Sequence, residues 1–215
     1  MSAPKVTLID YGLGNLLSVR RALEHCGGDV VITSDVDQII RSERVVLPGV
    51  GAFANGMEYL VRLGIDDAIY ELEQRKTPLL GICLGMQLLF SESEEFGLTK
   101  GLGLIAGNVI PIPALSVDND PLKVPFTGWR SIRHSENQVK WGETILRQNL
   151  VGDEMYFVHS FMASPKNQKN RIADYLYGGN SISAAVSSEN VIGCQFHPEK
   201  SGVNGLKVLK QFLLL

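Results

Sequence analysis

The stretch that decides the reading is Pro78-Leu79-Leu80-Gly81-Ile82-Cys83-Leu84-Gly85-Met86-Gln87. Leu79 to Ile82 reads as a short buried strand, and Met86 to Phe90 as the start of a helix. Cys83 is then left on a sharp strand-to-helix turn, with its thiol held clear of the backbone and a helix N-terminus beside it that favours thiolate. A side chain at position 81 or 85 would crowd such a turn, and both positions are glycine. The layout is the cysteine counterpart of the serine nucleophile elbow. A core cysteine on a buried strand is the plainer alternative; the two flanking glycines argue against it.

Working outward, strands and helices alternate on the N-terminal side. Val6 to Asp10 is a strand, Asn15 to Cys26 carries a helical stripe at Leu16, Val19, Ala22, Leu23 and Cys26, and Gly27-Gly28 stops it. Val30 to Ile32 is the next strand, Asp35 to Arg41 a short helix, Val45 to Leu47 a strand ending at Pro48, and Asp66 to Arg75 a helix leading to the Cys83 strand. Such alternation implies a parallel sheet with helices on both faces. After residue 100 the pattern turns to strands: Leu104 to Pro113, Lys123 to Ile132, Glu154 to Ala163, Arg171 to Tyr177, Ser181 to Val186 and Val191 to Phe196, several joined as hairpins, with Gly178-Gly179-Asn180 as a turn. Leu206 to Leu215 closes as an amphipathic helix. The expected fold is one α/β domain over residues 1–215, with a mixed, mostly parallel central sheet flanked by helices and antiparallel hairpins in the C-terminal half.

Composition narrows the function classes. The chain has 215 residues, 45% of them hydrophobic, and a formal net charge of -3. That argues against disorder and against a nucleic-acid binder, because no basic stretch is dense enough to track a phosphate backbone. Three cysteines at unrelated spacings make neither a disulfide framework nor a zinc set. No apolar run reaches membrane-spanning length, and Met1-Ser2-Ala3-Pro4 is followed at once by a strand rather than by a secretory leader. A cytoplasmic enzyme without cofactor or metal is expected.

A thiol nucleophile needs a base, and the base needs an orienting group. Of four histidines only His197 stands in a suggestive setting, Ile192-Gly193-Cys194-Gln195-Phe196-His197-Pro198-Glu199-Lys200. Pro198 excludes helix at His197 and holds the segment extended, so that Glu199 falls on the face of His197 and can fix its tautomer. The N–H of Leu84, on the helix after Cys83, is a natural donor to an oxyanion. Pro48-Gly49-Val50-Gly51 lacks the Lys and Ser/Thr of a phosphate loop, and its flexible backbone suits the same task. Gly12-x-Gly14 has Leu17 where a dinucleotide fingerprint needs a third glycine. Its expected use is to bring a backbone close to a partner, with Asn15 as helix N-cap; a plain tight turn is the alternative.

Taken together, Gly81-Ile82-Cys83-Leu84-Gly85-Met86-Gln87 and His197-Pro198-Glu199 resemble the class I, triad-type glutamine amidotransferases. Within that class the chain is similar, from about residue 5 to its end, to the glutaminase subunits of imidazole glycerol phosphate synthases. The added matches are Ile9-Asp10-Tyr11-Gly12-Leu13-Gly14-Asn15, Pro48-Gly49-Val50-Gly51-Ala52-Phe53, Tyr156-Phe157-Val158-His159-Ser160-Phe161 and His197 to Gly202. The resemblance implies a catalytic triad of Cys83, His197 and Glu199. It implies an oxyanion hole from the backbone of Leu84 and Gly49-Val50, and L-glutamine held by Gly51, Gln87 and the backbone of Ser160 and Phe161. It also implies a (β/α)8-barrel synthase as partner, docked near Asn15, Tyr156, Lys200 and Trp129, which receives ammonia and makes imidazole glycerol phosphate and AICAR. Glutamine turnover would stay low until that partner holds its own substrate.

One segment departs from the family pattern. Lys123-Val124-Pro125-Phe126-Thr127-Gly128-Trp129-Arg130 has Phe126 and Arg130 where the family has His and Asn. Paralogous subunits that feed ammonia to sugar-modifying enzymes of surface polysaccharide assembly are the alternative this raises. A non-catalytic regulatory subunit on the same fold is an alternative of another class, and the complete set of Cys83, His197 and Glu199 argues against it.

Overall fold

The computed structural model describes residues 3–136 and 140–215; Met1 and Ser2, the start of the expected leaderless opening, lie outside them. Its first half is the alternation that the hydrophobic pattern dictates. The order is β1 (Lys5–Ile9), α1 (Leu16–His25), β2 (Asp29–Thr33), α2 (Val36–Ile40), β3 (Val45–Leu47), α3 (Phe53–Arg62), α4 (Ile65–Gln74), β4 (Leu79–Ile82) and α5 (Leu84–Leu88). β3 and β4 are buried along their whole length, as parallel strands covered on both faces must be. α1 contributes Val19, Ala22 and Leu23 to one apolar cluster and α4 contributes Ile65, Ala68, Ile69 and Leu72 to another. Two separate clusters are what helices on opposite faces of one sheet produce.

The second half runs β5 (Phe90–Ser93), β6 (Thr99–Lys100), β7 (Ile105–Pro111), β8 (Phe126–Ser131), β9 (Arg133–His134), β10 (Glu154–His159), β11 (Phe161–Pro165), β12 (Arg171–Tyr177), β13 (Asn180–Ser188), β14 (Val191–Cys194) and α6 (Gly202–Phe212). Three sheets result: an eight-stranded one in the order β2-β1-β3-β4-β14-β13-β12-β9, a four-stranded one, β11-β7-β5-β6, and a β8–β10 ribbon. Pairing is parallel from β2 across to β14 and antiparallel from there to β9. β14 therefore returns the end of the chain to the side of β4. Its register, Cys194 opposite Ile82, sets the residues after each strand next to one another: Cys83 on one side, Gln195 to His197 on the other.

Several boundaries differ from expectation, each for a local reason. The helix after Cys83 occupies Leu84–Leu88 rather than 86–90, because the chain is already paired as β5 from Phe90, which lies opposite Ile105. The expected strand over 154–163 is two strands in different sheets, broken at Ser160. β14 stops at Cys194, β1 at Ile9, and the last helix starts at Gly202 and ends at Phe212. The expected strands over 104–113 and 123–132 shorten to β7 and β8. α3, β5 and the short β6 and β9 were not anticipated. Gly14 packs against the strand end it faces: a Cβ there would lie 3.3 Å from the Pro48 side chain and 3.7 Å from Gly49 N. Asn15 caps α1, its Oδ1 accepting from Ser18 N at 3.4 Å.

Candidate active site

The turn after β4 is built by steric exclusion. Cys83 has φ 55° and ψ -110°, a region that non-glycine residues rarely occupy and that clusters at functional sites. A Cβ on Gly81 would sit 2.6 Å from Gly85 O, and one on Gly85 only 1.9 Å from Leu47 O, so β3, β4 and α5 close on one another only because both residues lack side chains. Cys83 N donates to Cys194 O at 2.8 Å and Gln87 N to Cys83 O at 3.2 Å. The sulfur lies 3.9 Å from Val158 O, and Gln195 Nε2 donates to it at 3.8 Å.

His197 reaches the same place from the end of β14. Its Nδ1 donates to Glu199 Oε1 at 2.8 Å, with the two side chains only 3% and 1% exposed. The contact is the expected one, but its cause differs: Pro198–Lys200 is a 3-10 turn rather than extended chain, and the turn folds Glu199 back onto the ring. His197 Nε2 has no partner within hydrogen-bonding geometry among the described residues. Burial opposes charge on the imidazole, yet the Cys83 sulfur and the Glu199 carboxylate outweigh it and raise its pKa to about 9. The backbone is fixed through β10: His197 N donates to Tyr156 O at 2.9 Å, Ser201 Oγ donates to His197 O at 2.6 Å, and Tyr156 N donates to Ser201 Oγ at 3.0 Å.

Cys83 and His197 line one cavity of about 260 Å³ together with Val50, Gly51, Leu84, Gln87, Ser160 and Phe161. It opens beyond the carboxyl ends of β3, β4 and β14, where parallel sheets bind ligands. Gly49 packs beneath the elbow: a Cβ on it would lie 2.5 Å from Tyr11 Oη and 2.9 Å from Gly85 N. Gly51 has φ +105°, and Leu84 N is the first amide of α5, without an intrahelical acceptor. Gln87 Nε2 donates to Phe161 O and to Gln195 Oε1, both at 3.0 Å. Both amide protons are thus committed inside the protein, and Oε1 is the atom left to meet a ligand.

Glu95, Pro125, Val158 and His159 also line the cavity, and sequence reasoning gave none of them a role. Glu95, on the loop after β5, accepts from Phe53 N at 2.6 Å; in the sequence it is one more loop acid. His159 is buried, with Nδ1 donating to Phe161 O and Nε2 accepting from Tyr175 Oη, each at 2.8 Å. Burial, with a smaller contribution from cationic His197, lowers its pKa to about 4 against the opposing pull of the Phe161 carbonyl. It is a neutral strut that holds the 159–161 break.

The residues assigned to a partner surface group in part. Trp129 and Tyr156 meet edge to face with ring centroids 5.8 Å apart, and Lys200 Nζ lies 5.9 Å over the Tyr156 ring. Asn15 is exposed at the head of α1. The two departures from the family pattern meet each other: the Arg130 guanidinium lies 4.6 Å over the buried Phe126 ring, which packs 4.7 Å from Tyr177. Among the described residues no set of three His, Cys, Asp or Glu is arranged to hold a metal, and no helix is long and apolar enough to cross a membrane.

Comparison with known proteins agrees with this architecture. Residues 7–215 match the family model described as glutamine amidotransferase class-I. The chain is 48% identical over 208 residues to the imidazole glycerol phosphate synthase subunit HisH 1 of Legionella pneumophila (strain Lens), covering 97% of this chain and 98% of that one. It is 41% identical to the HisH subunit of Geobacillus thermodenitrificans, with 97% and 94% covered. A solved structure titled a glutamine amidotransferase shares the fold at TM-score 0.72 and 14% identity, covering 97% and 99% of the two chains. Motif order, the geometry around Cys83 and near full-length identity converge on one conclusion: the chain belongs to the class I glutamine amidotransferases, in the family of HisH subunits of imidazole glycerol phosphate synthase.

Proposed function

We propose that the chain is the glutaminase subunit of an imidazole glycerol phosphate synthase. It hydrolyses L-glutamine to glutamate and passes the ammonia to a (β/α)8-barrel partner that makes imidazole glycerol phosphate and AICAR in histidine biosynthesis. The observation that carries this reading is the Cys83 elbow facing the buried His197–Glu199 pair across one cavity. Glutamine's carboxamide is a poor electrophile, and ammonia leaves only with a proton supplied. The Cys83 sulfur attacks the carboxamide carbon, and the oxyanion is held by Leu84 N–H and the Gly49-Val50 backbone. Imidazolium His197 then protonates the departing nitrogen as the C–N bond breaks. The glutamyl thioester is hydrolysed by a water that His197, now neutral, deprotonates. Glutamate leaves and the thiolate–imidazolium pair is restored. Glu199 holds the ring through Nδ1. Gly51, Gln87 Oε1 and the backbone of Ser160 and Phe161 hold the amino-acid end, with Glu95 as a carboxylate for its ammonium.

Ammonia protonated in bulk water is no nucleophile, so the reading requires a partner over the cavity mouth. Trp129, Tyr156, Lys200 and Asn15 form its docking surface. A reactive thiol of this kind is suited to a reducing cytoplasm. Cys83→Ala is expected to abolish glutamine-dependent synthesis by the complex while ammonia-dependent synthesis persists; loss of both would contradict separate sites for the two half-reactions.

A further inference from the structure

Gln195 is fully buried, and among the described residues its side chain makes two hydrogen bonds. Its Oε1 accepts from Gln87 Nε2 at 3.0 Å, and its Nε2 donates to the Cys83 sulfur at 3.8 Å. Gln87 is held in turn by the Phe161 carbonyl at 3.0 Å. An amide is ambiguous until its network is read. Here the chain of bonds admits one orientation, because Phe161 O can only accept. Gln87 must then present its NH2, Gln195 its Oε1 to Gln87, and its own NH2 to sulfur. The backbone of Gln195 is fixed as well, with its N donating to Ala184 O at 2.9 Å.

We propose that Gln195 is a catalytic residue of this enzyme: its carboxamide N–H donates to the Cys83 thiolate, and Gln87 is the positioning residue that aims it. The inference rests on Cys83 being the nucleophile, and it adds a donor that the triad does not contain. The His197 imidazolium favours the thiolate by charge, whereas the Val158 carbonyl, 3.9 Å from the sulfur, is an acceptor and favours the thiol; Gln195 adds a neutral donor that stays a donor at any pH. A hydrogen bond to the charged form of a group favours that form, and the Gln195 amide is aimed at the sulfur by geometry alone. The donor also explains why a glutamine sits fully buried between two strand ends, where an apolar residue would otherwise cost less.

The test needs neither glutamine nor a partner, so its failure is distinct from failure of the glutaminase reading. The rate of iodoacetamide alkylation at Cys83 is measured against pH, with the modified residue identified by peptide mass spectrometry. Cys194, buried with its thiol pKa pushed up chiefly by burial, serves as an unreactive internal reference. Gln195→Met, of similar volume and without a donor, is expected to move the alkylation midpoint up by about one pH unit, the scale of one hydrogen bond to a charged group. A midpoint unchanged in folded protein overturns the proposal. If Gln195→Met does not fold, Gln87→Met gives the same reading: it leaves Gln195 in place but removes the bond that aims it. A smaller upward shift supports the proposal, and no shift refutes it.

Discussion

Two buried histidines face one cavity and titrate in opposite directions. His197 is raised to about 9. Its charged form is stabilised by folding, so that contribution is complete below the ordinary imidazole value of about 6.5 and fades as pH climbs through about 9. Glutamine hydrolysis should lose rate over the same alkaline range, because a neutral ring cannot protonate departing ammonia. Glu199→Gln should shift that alkaline limb of kcat/KM to lower pH and cost less than His197→Ala; a limb that stays in place would mean the carboxylate does not charge the ring. The triad acts as a unit, so the losses will not add. His159, lowered to about 4, works the other way. The unfolded chain takes up a proton first as pH falls below about 6.5, so folding stability declines from there to about 4. Thermal melts across that range should show a shallower acid decline in His159→Gln than in the unmodified chain. The two roles were unequally legible: Pro198 and Glu199 flag His197 in the sequence, whereas His159 is kept neutral chiefly by its burial, which a single sequence does not display.

Elements built on local chemistry were readable, and those completed from afar were not. β3, β4 and the cap of α1 follow from apolar runs and from Asn15. α3 does not: Asn55 and Gly56 are poor helix formers, and Ala52 offers no side-chain cap. Its first amide is satisfied instead by Glu95, from the loop after β5, and Gly56 is there because Leu88 packs against it, 3.0 Å from where a Cβ would stand. The elbow glycines were read correctly as space-makers, and the structure ranks them. Gly85→Ala would drive a methyl group into the Leu47 carbonyl and should leave little folded protein, measured as loss of the cooperative thermal transition. Gly49→Ala meets the Tyr11 hydroxyl and the Gly85 amide. It should leave a folded chain whose kcat falls on the order of 100-fold with KM for glutamine nearly unchanged, as expected when one oxyanion donor is displaced. A raised KM with unaltered kcat would show that this strand holds substrate rather than charge.

Across the whole molecule, three separately hydrogen-bonded sheets meet at one cavity. The ends of main-sheet strands β4 and β14 lead into Cys83, Leu84 and His197, the ribbon supplies Val158 and His159, and β11 of the four-stranded sheet begins at Phe161. The sequence announced a change of pattern after residue 100, but not that the change produces three sheets, because pairing partners far apart in the chain leave no periodic trace. The Tyr156 ring meets Trp129 edge to face while its backbone carbonyl holds His197 N at 2.9 Å. Tyr156→Ala is accordingly expected to weaken activation by the synthase more than it weakens basal glutaminase turnover, assayed with and without the partner.

The break at Ser160 has a mechanical corollary. A ligand gripping that peptide on one side and the cysteine on the other would act as a rivet through layers that otherwise only abut. Glutamate or a thioester-forming inhibitor should therefore slow amide deuterium uptake in strands that never touch it, along β7 and β8 alike.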